Sequence, residues 1–405
     1  MTREDPEIAV VGAGIGGLAL ALALQDRGLP VAVYERAEAL AEIGAAIALS
    51  ANATRELARF GCLPAIEAAA CEPTELIYRR WRTQDRVAAH PVREGGAYRA
   101  RFGASYFGIH RADLQRAMAA QVTDGTLRLG HALSGLTETD EGIRLDFEGR
   151  DSVVADIVIG ADGIRSRVRD HVAGPDAVRY TGTSAFRGIV PVDRLPSLPD
   201  PQAIQFWMGP DAHLLHYAIG PEGGDVNFFA VAEGPAEWPD PRRWVIETDP
   251  DDPLRVFAGW DEAVLEMVGQ SDRVARWGLF STKPLRRWHR GRAVIIGDAA
   301  HAMLPHHGQG ANTSIEDAVT LAELLWRDGL GDLDATLTTF VALRRARTRV
   351  IQMSARATND ALHLPDHADL DRRDARMGRF PEEFGWIHAF DVRRAMATPQ
   401  ARLRA

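Results

Sequence analysis

The hydrophobic positions of this chain fall into three patterns. Unbroken apolar runs occur at Ile8-Ala9-Val10-Val11, at Val31-Ala32-Val33-Tyr34, from Asp156 to Gly160, and at Ala293-Val294-Ile295-Ile296. Runs this short without polar interruption suit strands buried on both faces of a parallel sheet. Leu127-Arg128-Leu129 and Ile143-Arg144-Leu145-Asp146-Phe147 instead alternate, which predicts half-exposed strands in a meander. Between Thr183 and Ala232 four strand-like runs, Phe186 to Val190, Ala203 to Met208, His213 to Ile219 and Val226 to Val231, are separated by glycine and proline, the pattern of an antiparallel sheet with hairpins. Helical spacing is expected over Leu18 to Arg27, over Gly108 to Leu114, in an amphipathic helix within Pro250 to Gln270, along Ile315, Val319, Leu321 and Leu324, and over Leu337 to Met353. The last forty residues read as helical packing elements.

Two junctions between these elements carry chemistry. The first strand runs into Gly12-Ala13-Gly14-Ile15-Gly16-Gly17, then an apolar helix that Gly28 can end, and the next strand delivers Glu35. Strand, GxGxxG turn, helix, strand and an acid about 20 residues on form the dinucleotide-binding pattern. Gly12 permits the tight turn, Gly14 lets a pyrophosphate approach the backbone, Gly17 lets helix and sheet pack closely, and Glu35 would accept hydrogen bonds from an adenosine ribose. The motif alone does not choose between FAD and NAD. The second junction is Arg292 to Leu325, which reads as a buried strand, a polar turn at Gly297-Asp298, a mobile glycine loop and a helix. Its helix N-terminus offers unpaired N–H groups to an anion or an electron-rich ring carbonyl.

In the second junction Asp298, His301 and Pro305 occupy a GD-x-x-H-x-x-x-P segment, and this resembles the FAD-dependent aromatic hydroxylases of the single-component, para-hydroxybenzoate hydroxylase type. The local wording GDAAHAMLPH is most similar to salicylate hydroxylase and relatives acting on hydroxylated nitrogen heterocycles. The resemblance implies an α/β fold: a Rossmann-like FAD-binding domain (1–72, 100–178 and 283–330), an inserted β-sheet substrate domain (73–99 and 179–282) and a C-terminal helical region (331–405). It implies that Asp298 binds ribityl or pyrophosphate oxygens and that the backbone of Gly310, Ala311 and Asn312 faces the flavin pyrimidine. It also implies flavin contacts from the GxGxxG turn with Ile15, from Glu35-Arg36, and from the small-residue segment Glu42-Ile43-Gly44-Ala45-Ala46-Ile47. Arg111 in His-Arg-x-x-Leu would lie on the pyrophosphate side, and Leu133, placed in a turn, would bring backbone near the adenine. Asp162 stands in a DG motif associated with FAD and the pyridine nucleotide, but its position equally suits a cap for the next helix. Where some heterocycle hydroxylases carry a histidine, this chain has Ala48.

The Trp207-Met208-Gly209-Pro210-Asp211-Ala212-His213 stretch followed by Tyr217 resembles the substrate wall of the salicylate and hydroxynicotinate hydroxylases. Strand alternation puts His213 and Tyr217 on one face and His216 on the other. His306, just after Pro305, would enter from the opposite side beside the flavin. Histidine accepts protons near neutral pH, and tyrosine can position a carboxylate or phenol. The family chemistry is flavin reduction by NAD(P)H, reaction with O2 to a C4a-hydroperoxide, and oxygen transfer to an electron-rich ring. With one GxGxxG unit in the chain, NAD(P)H is expected to bind transiently in a surface groove. The expected activity is hydroxylation of a small phenolic acid of the salicylate, hydroxybenzoate or amino-hydroxybenzoate type. The alternatives are another FAD enzyme on this scaffold, acting on a hydroxynicotinate- or urate-like ring, or a catalytically silent flavin-binding regulator. The absence of a WxWxIP stretch counts against a halogenase.

Composition narrows the partners. With 405 residues, 46% apolar and 25% charged, the chain can bury large cores. A net charge of −9 argues against nucleic acid or an anionic membrane as a main partner. The 47 basic residues are arginine except for Lys283. Cys62 and Cys71 are too few and too irregularly placed for a metal site or a disulfide framework, so no metal and a cytoplasmic location are expected. The uncharged run from Ile8 to Leu24 is interrupted by glycines and suits strand, turn and helix better than a membrane segment. The assembly is expected to be a monomer or a homodimer.

Overall fold

The computed structural model describes residues 8–40, 46–175, 178–240, 243–270, 275–366 and 369–397. The uninterrupted apolar runs form the centre of a six-stranded sheet in the order His289–Arg290, Ala293–Ile295, Ile157–Gly160, Ile8–Val11, Val31–Tyr34, Leu127–Arg128. All neighbours are parallel except the His289–Arg290 edge strand. Leu127-Arg128 therefore belongs to this sheet, beside Val31–Tyr34. The meander consists of Leu133–Thr139, Gly142–Phe147 and Arg150–Ala155 alone. The helix Ile15–Asp26 lies between the sheet and the helix Gln309–Asp328, so it is buried nearly all round and carries no amphipathic stripe. Among the described residues no helix is long and apolar enough to cross a membrane.

The second sheet has eight strands, in the order Val245–Glu247, Ala275–Thr282, Val178–Pro191, Asp225–Glu233, Ala212–Ile219, Ile204–Gly209, Glu75–Arg80, Arg86–Pro91. It is antiparallel apart from one parallel pair, Ile204–Gly209 with Glu75–Arg80. This exception to the expected all-antiparallel sheet arises where the hairpin of Glu75–Arg80 and Arg86–Pro91, which comes earlier in the chain than the other strands of this sheet, is added at its edge. Trp207, Leu214, Phe228 and Ala230 pack one face under the helices Asp252–Val256 and Glu262–Gly269. The single amphipathic helix expected there is thus two, interrupted at Gly259 with φ 81° and restarted by Asp261, which accepts from Ala263 N at 3.1 Å. The other face presents Tyr78, Phe206, Met208 and Tyr217 toward the first sheet's loops.

Two further boundaries differ from expectation. Phe107–His110 is a strand, and the helix starts only at Arg111, where His110 accepts from Ala112 N at 3.2 Å. A Cβ on Gly108 would sit 2.5 Å from Ala218 O and 2.8 Å from Tyr217 Cδ2, so only glycine lets this strand press against the second sheet. The C-terminal helix is longer than expected, Leu333–Leu362, because Asp332 caps it through Ala335 N at 3.1 Å. Short helices follow at Leu370–Met377, Phe380–Glu383, Gly385–His388 and Val392–Ala397. Cys62 and Cys71 are buried and unpaired, and burial pushes the Cys62 thiol up to about 11.

A buried ionic network joins these parts. Glu316 accepts from Asn52 Nδ2, Arg344 Nη2 and Arg347 Nε, each at 2.7 Å. Its neighbour Asp317 accepts from Arg344 Nε at 2.7 Å, from Gly297 N at 2.9 Å and from His301 Nε2 at 2.5 Å. Burial alone would raise the Asp317 carboxyl, but His301 and Arg344 beside it hold it down at about 2. Removing one partner of such a buried set costs about 3–5 kcal/mol because the others stay charged and dry. Asp317→Asn is accordingly expected to lower apoprotein stability by about that amount in urea titrations. Since the folded pKa of Asp317 lies below its unfolded value, its contribution is complete above about pH 4 and lost as pH falls toward 2. The wild type and Asp317→Asn stability curves should therefore converge across that acid window.

Candidate active site

The glycine turn has the geometry its spacing implies. Gly12 adopts φ 102°, and a Cβ there would lie 2.6 Å from Ala161 O. A Cβ on Gly17 would lie 1.9 Å from Gly12 O, which fixes helix and strand at a distance only glycine allows. At Gly14 nothing lies within 4 Å, leaving the turn open on that side. Glu35 follows its strand and holds the turn: its Oε2 accepts from Ala13 N at 2.8 Å and its Oε1 from Ala37 N at 2.9 Å. Gln115 Nε2 donates to Ala13 O at 2.9 Å, which brings the helix that Arg111 begins over the same turn. Arg36 is exposed just beyond Glu35.

Ser166 is the N-cap of the helix Arg167–Ala173, accepting from Arg169 N at 2.8 Å, and Asp162 assists it, with Oδ2 accepting from Arg167 N at 2.8 Å and Val168 N at 3.2 Å. Its Oδ1 is buried with no partner among the described residues. Asp162 therefore supports the helix start from outside the cap position, and one carboxylate oxygen is left over for a further donor. Asp298 is exposed at the start of the turn Asp298–His301, its Oδ1 3.9 Å from the point a Gly310 Cβ would occupy. Gly310 and Ala311 lie in the first turn of Gln309–Asp328, which no side chain caps.

The remaining expected residues are placed as follows. Asn312 turns its side chain inward, where Oδ1 accepts from Ser50 N at 3.0 Å and Nδ2 donates to Ala48 O at 2.9 Å and Gly308 O at 2.6 Å, so only its backbone can face a ligand. His301 also points inward, to Asp317 and the Trp288 ring. Ile15 is a core side chain. Leu133 is the first residue of a strand, with its side chain in the core, and does not lie in a turn. Ala46 opens the strand Ala46–Leu49, paired with His110; Glu42 to Ala45 lie outside the described residues.

On the facing sheet His213, Leu215 and Tyr217 share one side of their strand, and His216 lies on the other, buried near Arg79. Four residues of extended chain separate His213 from Tyr217 by roughly 13 Å, so they stand at two ends of one wall. The Tyr217 ring packs on Gly108 among Tyr78, Tyr106 and Phe206, and burial raises its hydroxyl, which keeps it a donor. At the other end the His213 and His306 ring centroids are 5.0 Å apart. Both nitrogens of His306 are buried without a partner among the described residues. Burial, reinforced by neighbouring histidines, holds both imidazoles well below the usual value, so both are neutral acceptors at pH 7. Pro305 starts the short turn that presents His306. Leu304, Ala185, Val231 and Leu279 give an apolar floor.

The sequence did not mark three residues beside this wall. Arg187 stacks its guanidinium 3.2 Å from the Trp277 ring centroid, and burial, then the charge of Arg111, lowers it to about 10. Two cations this close to each other suit an anionic ligand. Strand parity could have put Arg187 on this face only if the register of its long strand were known. His363 and Glu233 continue from His213, and no motif announces either.

The open Gly14, the spare oxygen of Asp162, the exposed Asp298 next to Gly310 and the paired arginines fit a phosphate-linked, polyhydroxylated, electron-poor ring cofactor. Residues 5–354 match the family model described as FAD binding domain. The 3-amino-4-hydroxybenzoate 2-monooxygenase of Streptomyces platensis is 37% identical over 97% of this chain and 98% of its own length. The 6-hydroxynicotinate 3-monooxygenase of Pseudomonas fluorescens is 32% identical over 86% and 90%. A salicylate hydroxylase substrate complex superposes with a TM-score of 0.84 at 29% identity, covering 100% of this chain and 99% of that one. HpxO of Klebsiella pneumoniae, complexed with FAD and uric acid, gives 0.80 at 27% identity, covering 98% of each chain. The chain belongs to the FAD-binding family of flavin-dependent aromatic monooxygenases.

The two glycines separate folding from binding. Gly17→Ala is expected to destabilise the apoprotein, since its Cβ meets backbone at 1.9 Å. Gly14→Ala should leave thermal unfolding of the apoprotein unchanged and weaken FAD in a fluorescence titration. Equal stability losses in both variants would contradict the close approach assigned to Gly17.

Proposed function

We propose that this enzyme hydroxylates a small phenolic acid of the aminohydroxybenzoate or salicylate type, consuming O2 and a transiently bound NAD(P)H. The observation that carries this reading is the neutral, unpartnered His306 beside His213. Bound FAD would supply the activation of O2, one of whose oxygen atoms is transferred to the ring. Gly12, Gly14, Gly17, Glu35, Arg111, Asp162, Asp298 and the amides of Gly310 to Asn312 would hold it. The protein's own part is to bind the ring, shield it from water and take its hydroxyl proton, because a phenolate is the better nucleophile. His213 or His306 takes that proton; Tyr217 donates its hydroxyl to a carboxylate or phenol oxygen at the other end of the wall. The amino-hydroxybenzoate class is favoured by the relative of that name, which matches nearly end to end.

The test is to titrate the purified flavoprotein with 3-amino-4-hydroxybenzoate, salicylate, 4-hydroxybenzoate, 6-hydroxynicotinate and urate while following NAD(P)H, O2 and product. Stoichiometric hydroxylation of a phenolic acid is expected; conversion of urate or 6-hydroxynicotinate alone would replace the substrate class. His213→Ala and His306→Ala should retain flavin colour yet lose about 10²–10⁴-fold in the oxygen-transfer step, with H2O2 released in place of product. Tyr217→Phe should mainly weaken substrate binding. Asp298→Ala should purify with little flavin, and full occupancy in that variant would remove its assigned role.

A further inference from the structure

Three polar side chains lead from the buried histidine pair to the surface. His213 Nδ1 lies 2.7 Å from His363 Nε2, and His363 Nδ1 lies 3.0 Å from Glu233 Oε1. His213 is 1% exposed and His363 6%, whereas the Glu233 side chain is 52% exposed. The three come from different elements: the strand Ala212–Ile219, the residue that ends the helix Leu333–Leu362, and the last residue of the strand Asp225–Glu233. Backbone bonds fix their spacing. Asp211 N donates to His363 O at 3.2 Å, and Glu233 N donates to Asp211 O at 2.9 Å. Asp211 holds φ 57° to make both bonds, a left-handed conformation uncommon outside glycine.

A proton taken from a phenol inside this cavity would have no stable place there. His213 faces His306 and His363, and His306 faces His307 and His363, with Arg376 beyond His307; all disfavour an imidazolium. His363 differs. Burial lowers it, but Glu233, Asp211 and Asp360 oppose that, so a proton is held more favourably on His363 than on His213. We propose that His363 and Glu233 are the proton exit of this active site, connecting His213 to solvent. The substrate O–H bond breaks and its proton goes to His213 Nε2. His213 Nδ1–H passes a proton to His363 Nε2, and His363 Nδ1–H passes one to the Glu233 carboxylate and then to water. No electrons move, and each imidazole ends with one proton, as it began. This rests on the proposed role of His213 as acceptor; His363 and Glu233 act through His213 and touch no substrate.

The experiment mixes oxidised FAD holoenzyme, without reductant, with 3-amino-4-hydroxybenzoate in weakly buffered solution containing a pH-indicator dye, and follows proton release by stopped flow. Ligand binding is read separately from the flavin spectrum. Wild type should release about one proton per ligand bound. His363→Ala should bind the ligand but release the proton at least tenfold more slowly. Added imidazole should restore the rate in proportion to its neutral fraction. Glu233→Gln, which keeps the shape and removes the charge, should shift the pH midpoint of the release rate downward. Should His363→Ala lose its flavin or fail to fold, the Glu233→Gln profile decides. Wild-type release rates in His363→Ala that ignore imidazole, or an unshifted profile in Glu233→Gln, would overturn the relay alone. A wild type that binds the phenolic acid without releasing a proton, or binds none of the aromatic acids, overturns the acceptor role and the relay with it.

Discussion

The site depends on Asp317. One carboxylate, fully buried in the long helix Gln309–Asp328, reaches the amide of Gly297, the ring of His301 and the guanidinium of Arg344. Those contacts set where Asp298 stands relative to the first turn of that helix. Asp298 and Gly310 come from segments that must present their polar groups to a single ligand, and their separation cannot drift while Asp317 holds both segments. The charge is costly to bury and tolerable because both carboxylate oxygens have donors. Glu316 repeats the device one residue earlier, tying Asn52, Arg344 and Arg347 together. The Rossmann half, the glycine loop and the C-terminal helix thereby become one rigid frame.

The substrate wall obeys the opposite rule. His306 is buried without partners among the described residues, which is unfavourable for folding and useful for binding. Keeping both histidines neutral depends on the same dryness that favours oxygen transfer over loss of peroxide to water. The apolar floor of Leu304, Val231 and Leu279 and the packed ring of Tyr217 serve both ends at once. An ionic group placed here to satisfy His306 would stabilise the apoprotein and remove the acceptor.

The parts legible in the sequence were those set by local chemistry. The GxGxxG turn could be read because each glycine answers a steric demand within a few residues, and the structure shows those demands at Gly12 and Gly17. Parity put His213 and Tyr217 on one face, with His216 opposite, since alternation needs only the strand itself. What was not legible required knowledge of distant partners. His301 sits inside a recognisable motif, but its ring serves Asp317, sixteen residues on. Asn312 spends its side chain on Ser50 and Ala48. Leu127-Arg128 alternates as a surface strand would, yet it pairs with Val31–Tyr34 because two residues at a sheet edge carry too little pattern to distinguish the two sheets. Arg187, Glu233 and His363 could not be found at all: their role follows from the register of the second sheet and from where a helix thirty residues long happens to end.

The C-terminal region accordingly does more than pack. Tyr98 O–H meets His388 Nδ1 at 2.6 Å, Arg80 meets Asp374 at 2.7 Å, and His90 Nε2 meets Met377 O at 2.8 Å, so the short helices grip the edge strands of the second sheet and the segment joining it to the first. Trp81 donates to Asp366 at 3.0 Å just after His363. These contacts hold the end of Leu333–Leu362 against the strand bearing His213, while Arg344, farther back along the same helix, grips Asp317. One helix thus spans from the cofactor cradle to the substrate wall. A tilt of that helix would disturb the Gly297 turn and the His213–His363 bond together, which makes the geometry of cofactor and substrate sites a single structural variable.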